Sequence, residues 1–338
     1  MKYRFLTGSY SQQEQPGICR VTFDPEVGFT LEAAGTGYLN PSFVLPHPNG
    51  RFLYAVEEAD SGSVCAHALD GGLSKQAEGL STQGASPCHL ALSGDLRRLY
   101  AANYSSGSLA AFALDAAGNL AGRTDVVRHV GSGPNHQRQE AAHVHCAMAL
   151  DGFVYVCDLG VDAIFVYRDG DGGLREVDRI PMPPGSGPRH LAHSPRHPNW
   201  LYCVAELGSA VYALKREATR LRIYHSVSIL PKDFDGENTA AAIHITDDGT
   251  LLLASNRGHD SIAVISLGPE GRLGAPVLSP CVAQPRDFLI CGAHVLAASQ
   301  RDSFIRAYRL DRVTLRLEDT GMALEIGCPV CLCPLDPQ

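Results

Sequence analysis

One pattern recurs along almost the whole chain, and it narrows the fold more than any other feature. The segments "LYAVEEADSGSVCAHALD" (53–70), "LYAANYSSGSLAAFALD" (99–115), "VYVCDLGVDAIFVYRD" (154–169), "LYCVAELGSAVYALKR" (201–216), "LLASNRGHDSIAVISL" (252–267) and "LAASQRDSFIRAYRLD" (296–311) align on one another. Each is an apolar run, a short polar break and an alternating apolar run, which is the pattern of a β-hairpin. Upstream of most copies stands a Pro or Gly turn with another apolar stretch, as in "NPSFVLPHPNGRFLY", "SPCHLALSGDLRRLY" and "GPRHLAHSPRHPNWLY". Downstream comes a Gly-rich turn and a more polar strand such as "LREVDRIPM". Four strands in roughly 50 residues, repeated, describe a β-propeller blade.

Six complete units and one split unit are visible. "YRFLTGSYSQ" aligns with a second strand and "GICRVTFD" with a third, while the missing first strand matches "GCPVCLCPL" near the other end. The expectation is an all-β, seven-bladed propeller of four-stranded antiparallel blades, one domain over residues 1–338, with a C-terminal strand closing the N-terminal blade. Closure of this kind removes a sheet edge open to aggregation. The 34 Gly and 21 Pro suit such a turn-rich chain.

Composition excludes some functions. A net charge of -8 argues against a general nucleic-acid binder, and no apolar run is long enough to cross a bilayer as a helix. Eleven Cys with no regular framework point to reduced thiols and a cytoplasmic location. "CPVCLC" resembles a zinc or redox motif, but no second ligand pair stands out, so an inner-strand role is expected. Monomer or weak homo-oligomer is the expected state.

In a propeller the start of each first strand and the end of each second strand meet on one face. Those first-strand starts are Ser42, Cys88, His145, Arg189, Ala241 and Arg286. The second-strand ends are the pairs Ser9–Tyr10, Glu57–Glu58, Asn103–Tyr104, Asp158–Leu159, Ala205–Glu206, Asn256–Arg257 and Ser299–Gln300. The first member is mostly a short polar residue, as turn chemistry demands. The second varies from blade to blade, which is where chemistry is expected. His145, Arg189, Glu206 and Arg257 converge from neighbouring blades as catalytic candidates. His143, His190, Arg286, Gln139, Glu140, Arg138, Glu58, Tyr104 and Gln300 are expected around them as substrate-binding residues. In "RQEAAHVHCA" the two His are two apart, a spacing that places both rings on one strand face. With Asp158 nearby they make a zinc alternative, but no metal and no cofactor are expected.

These residues carry a resemblance. "NPSFVLPHPNGRFLYAVEE", "HVHCAMALDGFVYVCDLGVD", "GPRHLAHSP", "AAIHITDDGTLLLASNRGHDSIAV" and "PRDFLI" make the whole chain look like the lactonase family of seven-bladed propellers, which includes bacterial 6-phosphogluconolactonases and is similar to fungal carboxymuconate-lactonising enzymes. The resemblance implies a site built on His145, Arg189, Glu206 and Arg257. It implies hydrolysis of a sugar-acid lactone, with 6-phosphogluconolactone of the pentose phosphate pathway as lead substrate and a small anionic lactone as sole partner. No "GxSxG" elbow occurs, which argues against a serine acyl-enzyme. A lactonising isomerase and a non-catalytic binding propeller are the alternatives.

Overall fold

The computed structural model describes residues 1–335 apart from 171, 195, 218 and 219. Seven four-stranded antiparallel sheets form the ring. Blade one pairs Pro329–Pro334 with Tyr3–Ser9, so strands from both ends of the chain share one sheet, with Leu6 opposite Cys333 and Gly8 opposite Cys331. The inner strands of blades two to seven are Val44–Pro46, Pro87–Leu92, Val144–Leu150, Pro188–His193, Thr239–Ile245 and Pro285–Cys291. Each inner strand contacts the next around the axis. The six units, the split unit and the strap all stand where the repeat predicted them. Cys331 and Cys333 of "CPVCLC" lie in the inner strand of blade one, each with a free thiol. Apart from two single turns, Leu69–Gly71 and Pro269–Gly271, the described residues hold no helix.

The core lies between blades. Second strands alternate large and small residues, so Tyr202, Val204 and Ala213 of blade five pack on Ala240, Leu252 and Ala254 of blade six. The recurring Leu-Tyr adds a staple. Tyr54 and Tyr202 donate their hydroxyls to Gly118 O (2.5 Å) and Gly271 O (3.1 Å), each in the next blade. Tyr100 donates to Asp169 Oδ2 of blade four at 2.8 Å, and Tyr155 accepts from Arg216 Nε of blade five at 3.1 Å. A buried Tyr brings an apolar body with one polar tip that needs a partner. Here that partner always belongs to the neighbouring blade, so the staple repeats with the sequence.

Candidate active site

The first members of the strand-end pairs do turn chemistry. Asn103 Nδ2 donates to Ser108 Oγ at 3.0 Å, Asn256 Nδ2 to Ile229 O at 2.7 Å and Ser299 Oγ to Ala283 O at 2.8 Å. Asp158 Oδ1 accepts the backbone N–H groups of His143, Gly160 and Val161, while Oδ2 faces His129 Nδ1 at 2.7 Å. This carboxylate is spent, and the zinc alternative that invoked it is corrected. Among the described residues no three His, Cys, Asp or Glu side chains are grouped to hold a metal ion.

The first strands begin with a repeated irregularity. Pairing with the second strand slips at Cys88, His145, Arg189, Ala241–Ala242 and Arg286, each lying between the two residues where register shifts. A bulge leaves its extra residue unpaired and re-aims the side chain. Pro87, Pro188 and Pro285 precede three of these positions, as suits a residue with no ladder donor to lose. Cys88, Arg189 and Arg286 thereby line one small cavity on the axis, together with Ser42, Phe43, His190, Asp287 and Val330. Its free volume is about 20 Å³, room for a single water. The bulge also corrects the strand-face reading of the two His. The strand begins at Val144, so His143 precedes it and His145 is the bulged residue.

Glu206 is the hub. Its side chain is 3% exposed. Oε1 accepts from Arg138 Nη2 at 2.6 Å, and Oε2 lies 3.0 Å from Arg257 Nη2 and 2.9 Å from Arg189 Nε. The last contact is charge against charge, because that N–H is not aimed at the carboxylate and Arg189 Nε is left without an acceptor. Arg257 Nε is also buried without one. Most buried donors are satisfied, so two unsatisfied guanidinium N–H groups around one carboxylate single this hub out. Backbone carbonyls at the bulge of blade six hold the two forks in place: Arg189 Nη1 donates to Ala241 O at 2.7 Å and Arg257 Nη2 to Ala240 O at 3.0 Å. Gly258 completes the anchor. Its φ is +124°, and a Cβ there would lie 2.2 Å from Glu237 O, so no other residue fits after Arg257.

His145 sits beside this hub, with Nε2 4.0 Å from Glu206 Oε2 and Nδ1 3.8 Å from Cys88 Sγ. Burial, reinforced by Arg189, holds its imidazole well below the ordinary 6.5, so it is neutral at neutral pH. Burial works to raise the Glu206 carboxyl, but Arg257, Arg189 and Arg138 outweigh it and hold the group well below the carboxylate range. Arg257 is drawn down to about 10 by burial, against the opposing pull of Glu206, and stays charged.

The four catalytic candidates are thus together, and Arg138 and Tyr104 join them, with Arg138 Nη2 3.2 Å from Tyr104 Oη. His143 stacks on Tyr104 with centroids 4.5 Å apart, and its Nε2 faces the exposed Glu140 carboxylate at 3.1 Å on the rim. Across the channel Arg286 Nη2 donates to Tyr10 Oη at 2.8 Å, Tyr10 donates to Glu58 Oε1 at 3.2 Å, and Ser42 Oγ donates to Glu58 Oε2. His190 lies one layer deeper, its ring 5.2 Å from that of His145. Two candidates are not joined to either cluster. Gln139 is fully buried, with Nε2 on Leu159 O (2.8 Å) and Oε1 on Asn135 N (3.1 Å). It holds a loop, and its placement as a substrate contact is corrected. Gln300 is tied by its backbone to Gln284. Tyr10, Ser42 and Cys88 were absent from the candidate set although they occupy the same strand-end positions that supplied it.

Comparison with known proteins agrees with this architecture. A family model described as lactonase, 7-bladed beta-propeller matches residues 4–334. The 6-phosphogluconolactonase of Bacillus subtilis is 33% identical, covering 98% of each chain. A putative 6-phosphogluconolactonase from Bacteroides fragilis superposes with a TM-score of 0.91 at 28% identity, covering 99% of this chain and 98% of that one. The periplasmic gluconolactonase of Pseudomonas aeruginosa gives a TM-score of 0.91 at 29% identity over 99% of both chains. A family match over nearly the whole chain and a relative one-third identical along its full length place the chain in the seven-bladed β-propeller lactonase family.

Proposed function

We propose that this lactonase opens 6-phosphogluconolactone to 6-phosphogluconate. The two unsatisfied N–H groups of Arg189 and Arg257 beside a neutral His145 are the observation that carries the reading. Water adds to the ring carbonyl carbon and gives its proton to His145. The ring C–O bond then breaks, the leaving alkoxide takes a proton, and the product carboxylate leaves a net proton in solution. Glu206, paired with three guanidinium groups, is too weak a base for this step. At 4.0 Å its charge instead stabilises the imidazolium as it forms. The free guanidinium donors suit the oxyanion, whose charge develops as the tetrahedral intermediate forms. The names borne by the relatives support a sugar-acid lactone, and an Arg-rich mouth on an acidic protein supports an anionic one. Free thiols among the described residues support a reducing, cytoplasmic setting.

The test is hydrolysis of freshly made 6-phosphogluconolactone, with product detection and chelator present. Wild type is run beside Arg189→Ala and His145→Ala. Fast wild-type turnover lost in both variants is expected. A wild-type rate no greater than spontaneous ring opening would overturn the substrate assignment.

A further inference from the structure

Glu206 has three guanidinium partners, and they are not equivalent. Arg189 and Arg257 come from strands, with side chains 3% and 12% exposed, and backbone carbonyls fix both. Arg138 comes from the connection between blades three and four, and its side chain is 38% exposed. The backbone beneath it is tied down by hydrogen bonds. Asn135 Oδ1 accepts from the N–H groups of Gln137 and Arg138, each at 3.2 Å, and Asn135 O from Gln139 N at 2.7 Å. Gln139 pins that turn to blade four. Arg138 therefore presents a long, part-exposed side chain on a hydrogen-bonded base, and among the described residues its guanidinium has Glu206 Oε1 and Tyr104 Oη as side-chain partners.

We propose that Arg138 is a specificity arm that exchanges Glu206 for the phosphate of the substrate, so that arrival of the dianion both anchors the lactone and releases Glu206 Oε1 to face His145. The proposal rests on the lactonase reading above. The exchange is favourable because the hub holds three cations against one carboxylate, with Arg286 across the channel. A phosphate dianion relieves that excess and offers a fork-shaped guanidinium a two-point partner. Once Arg138 turns away, the undivided Glu206 charge makes His145 a stronger base. A lactone without phosphate leaves the arm on Glu206 and is opened slowly.

The experiment compares 6-phosphogluconolactone with δ-gluconolactone in wild type, Arg138→Gln and Arg138→Lys. In Arg138→Gln the KM for the phosphorylated lactone should rise about ten- to a hundredfold, the loss expected for one charge-assisted contact. Its kcat/KM for δ-gluconolactone should rise severalfold, with the acid limb of the pH profile moved to higher pH. Arg138→Lys should fall between. Phosphite added in trans should speed δ-gluconolactone opening by wild type and not by Arg138→Gln. Equal slowing of both lactones in Arg138→Gln, or no response to phosphite, would overturn the arm. Should wild type open neither lactone, the functional reading fails and calorimetry decides the arm alone. Weakening of 6-phosphogluconate binding by about tenfold in Arg138→Gln, with gluconate unaffected, supports it, and equal binding by both proteins overturns it.

Discussion

Glu58 and Glu206 occupy the same place in their blades, the residue just beyond the second strand, yet the ring surrounds them differently. Glu206 is nearly inaccessible and meets three guanidinium groups. Glu58 is half-buried and meets two hydroxyls, Tyr10 and Ser42, with Arg286 one hydrogen bond further away. A propeller repeats its backbone positions, and the neighbours on either side decide what a carboxylate placed there becomes. At blade five it is the counter-ion that keeps buried cations in the fold. At blade two it is a hydrogen-bond acceptor that orients a rim.

Substitution separates the two. Glu206→Gln leaves three guanidinium groups without their anion, and loss of one partner from a buried pair costs about 3–5 kcal/mol. Denaturant melts should show that loss, together with collapse of lactone turnover. Glu58→Gln keeps an acceptor for Tyr10 and turns its amide N–H to the Ser42 hydroxyl, which can rotate to accept it, so melts should move by no more than about 1 kcal/mol and turnover by less than about tenfold. If both substitutions cost the same, the contrast is wrong. Next in size is His145→Ala, which removes the base and should slow turnover by about 10²–10⁴-fold. The accompanying pH profile is specific. The active imidazole is the unprotonated one, and its acid form is disfavoured by burial and Arg189. The wild-type rate should therefore stay level from neutral pH down past the ordinary 6.5 and fall only as pH drops through the depressed value. A limb at or above 6.5 would assign the base elsewhere. The smallest effect belongs to Ser42→Ala, which frees Glu58 Oε2 from one hydroxyl and should cost about 1 kcal/mol or less of stability, read by the same melts.

The ring was legible because its signal is periodic. Six hairpins written in nearly the same letters, and a seventh cut in two, leave one arrangement that buries every face. The strand-end rule also found Glu206 and Arg257, since period-two alternation fixes which residues reach the channel, and it found Arg189 behind the Pro that marks its bulge. It was blunter at His145, because the bulge at the start of the strand breaks that alternation. Pro before the bulge in "SPCH", "GPRH" and "QPRD" is the local signal for it, and blade four lacks that Pro. The connection 129–143 has no period at all. Nothing in "RQEAA" tells the half-buried Arg138, which reaches Glu206, from the fully buried Gln139, which turns back to Leu159. Their roles are set by tertiary contacts more than 15 positions away in sequence.

The strap of blade one has a consequence in time. Tyr10 and Arg286 are 276 positions apart and meet only on a closed ring, and closure requires the strand Pro329–Pro334 to pair with Tyr3–Ser9. Contacts this distant are slow to form. During synthesis Tyr3–Ser9 of blade one waits with an unpaired inner edge until Pro329–Pro334 is made, so the mouth of the channel is expected to be among the last parts assembled. A chain stopped short of residue 329 would carry every catalytic side chain named above yet lack the strand that closes the circle.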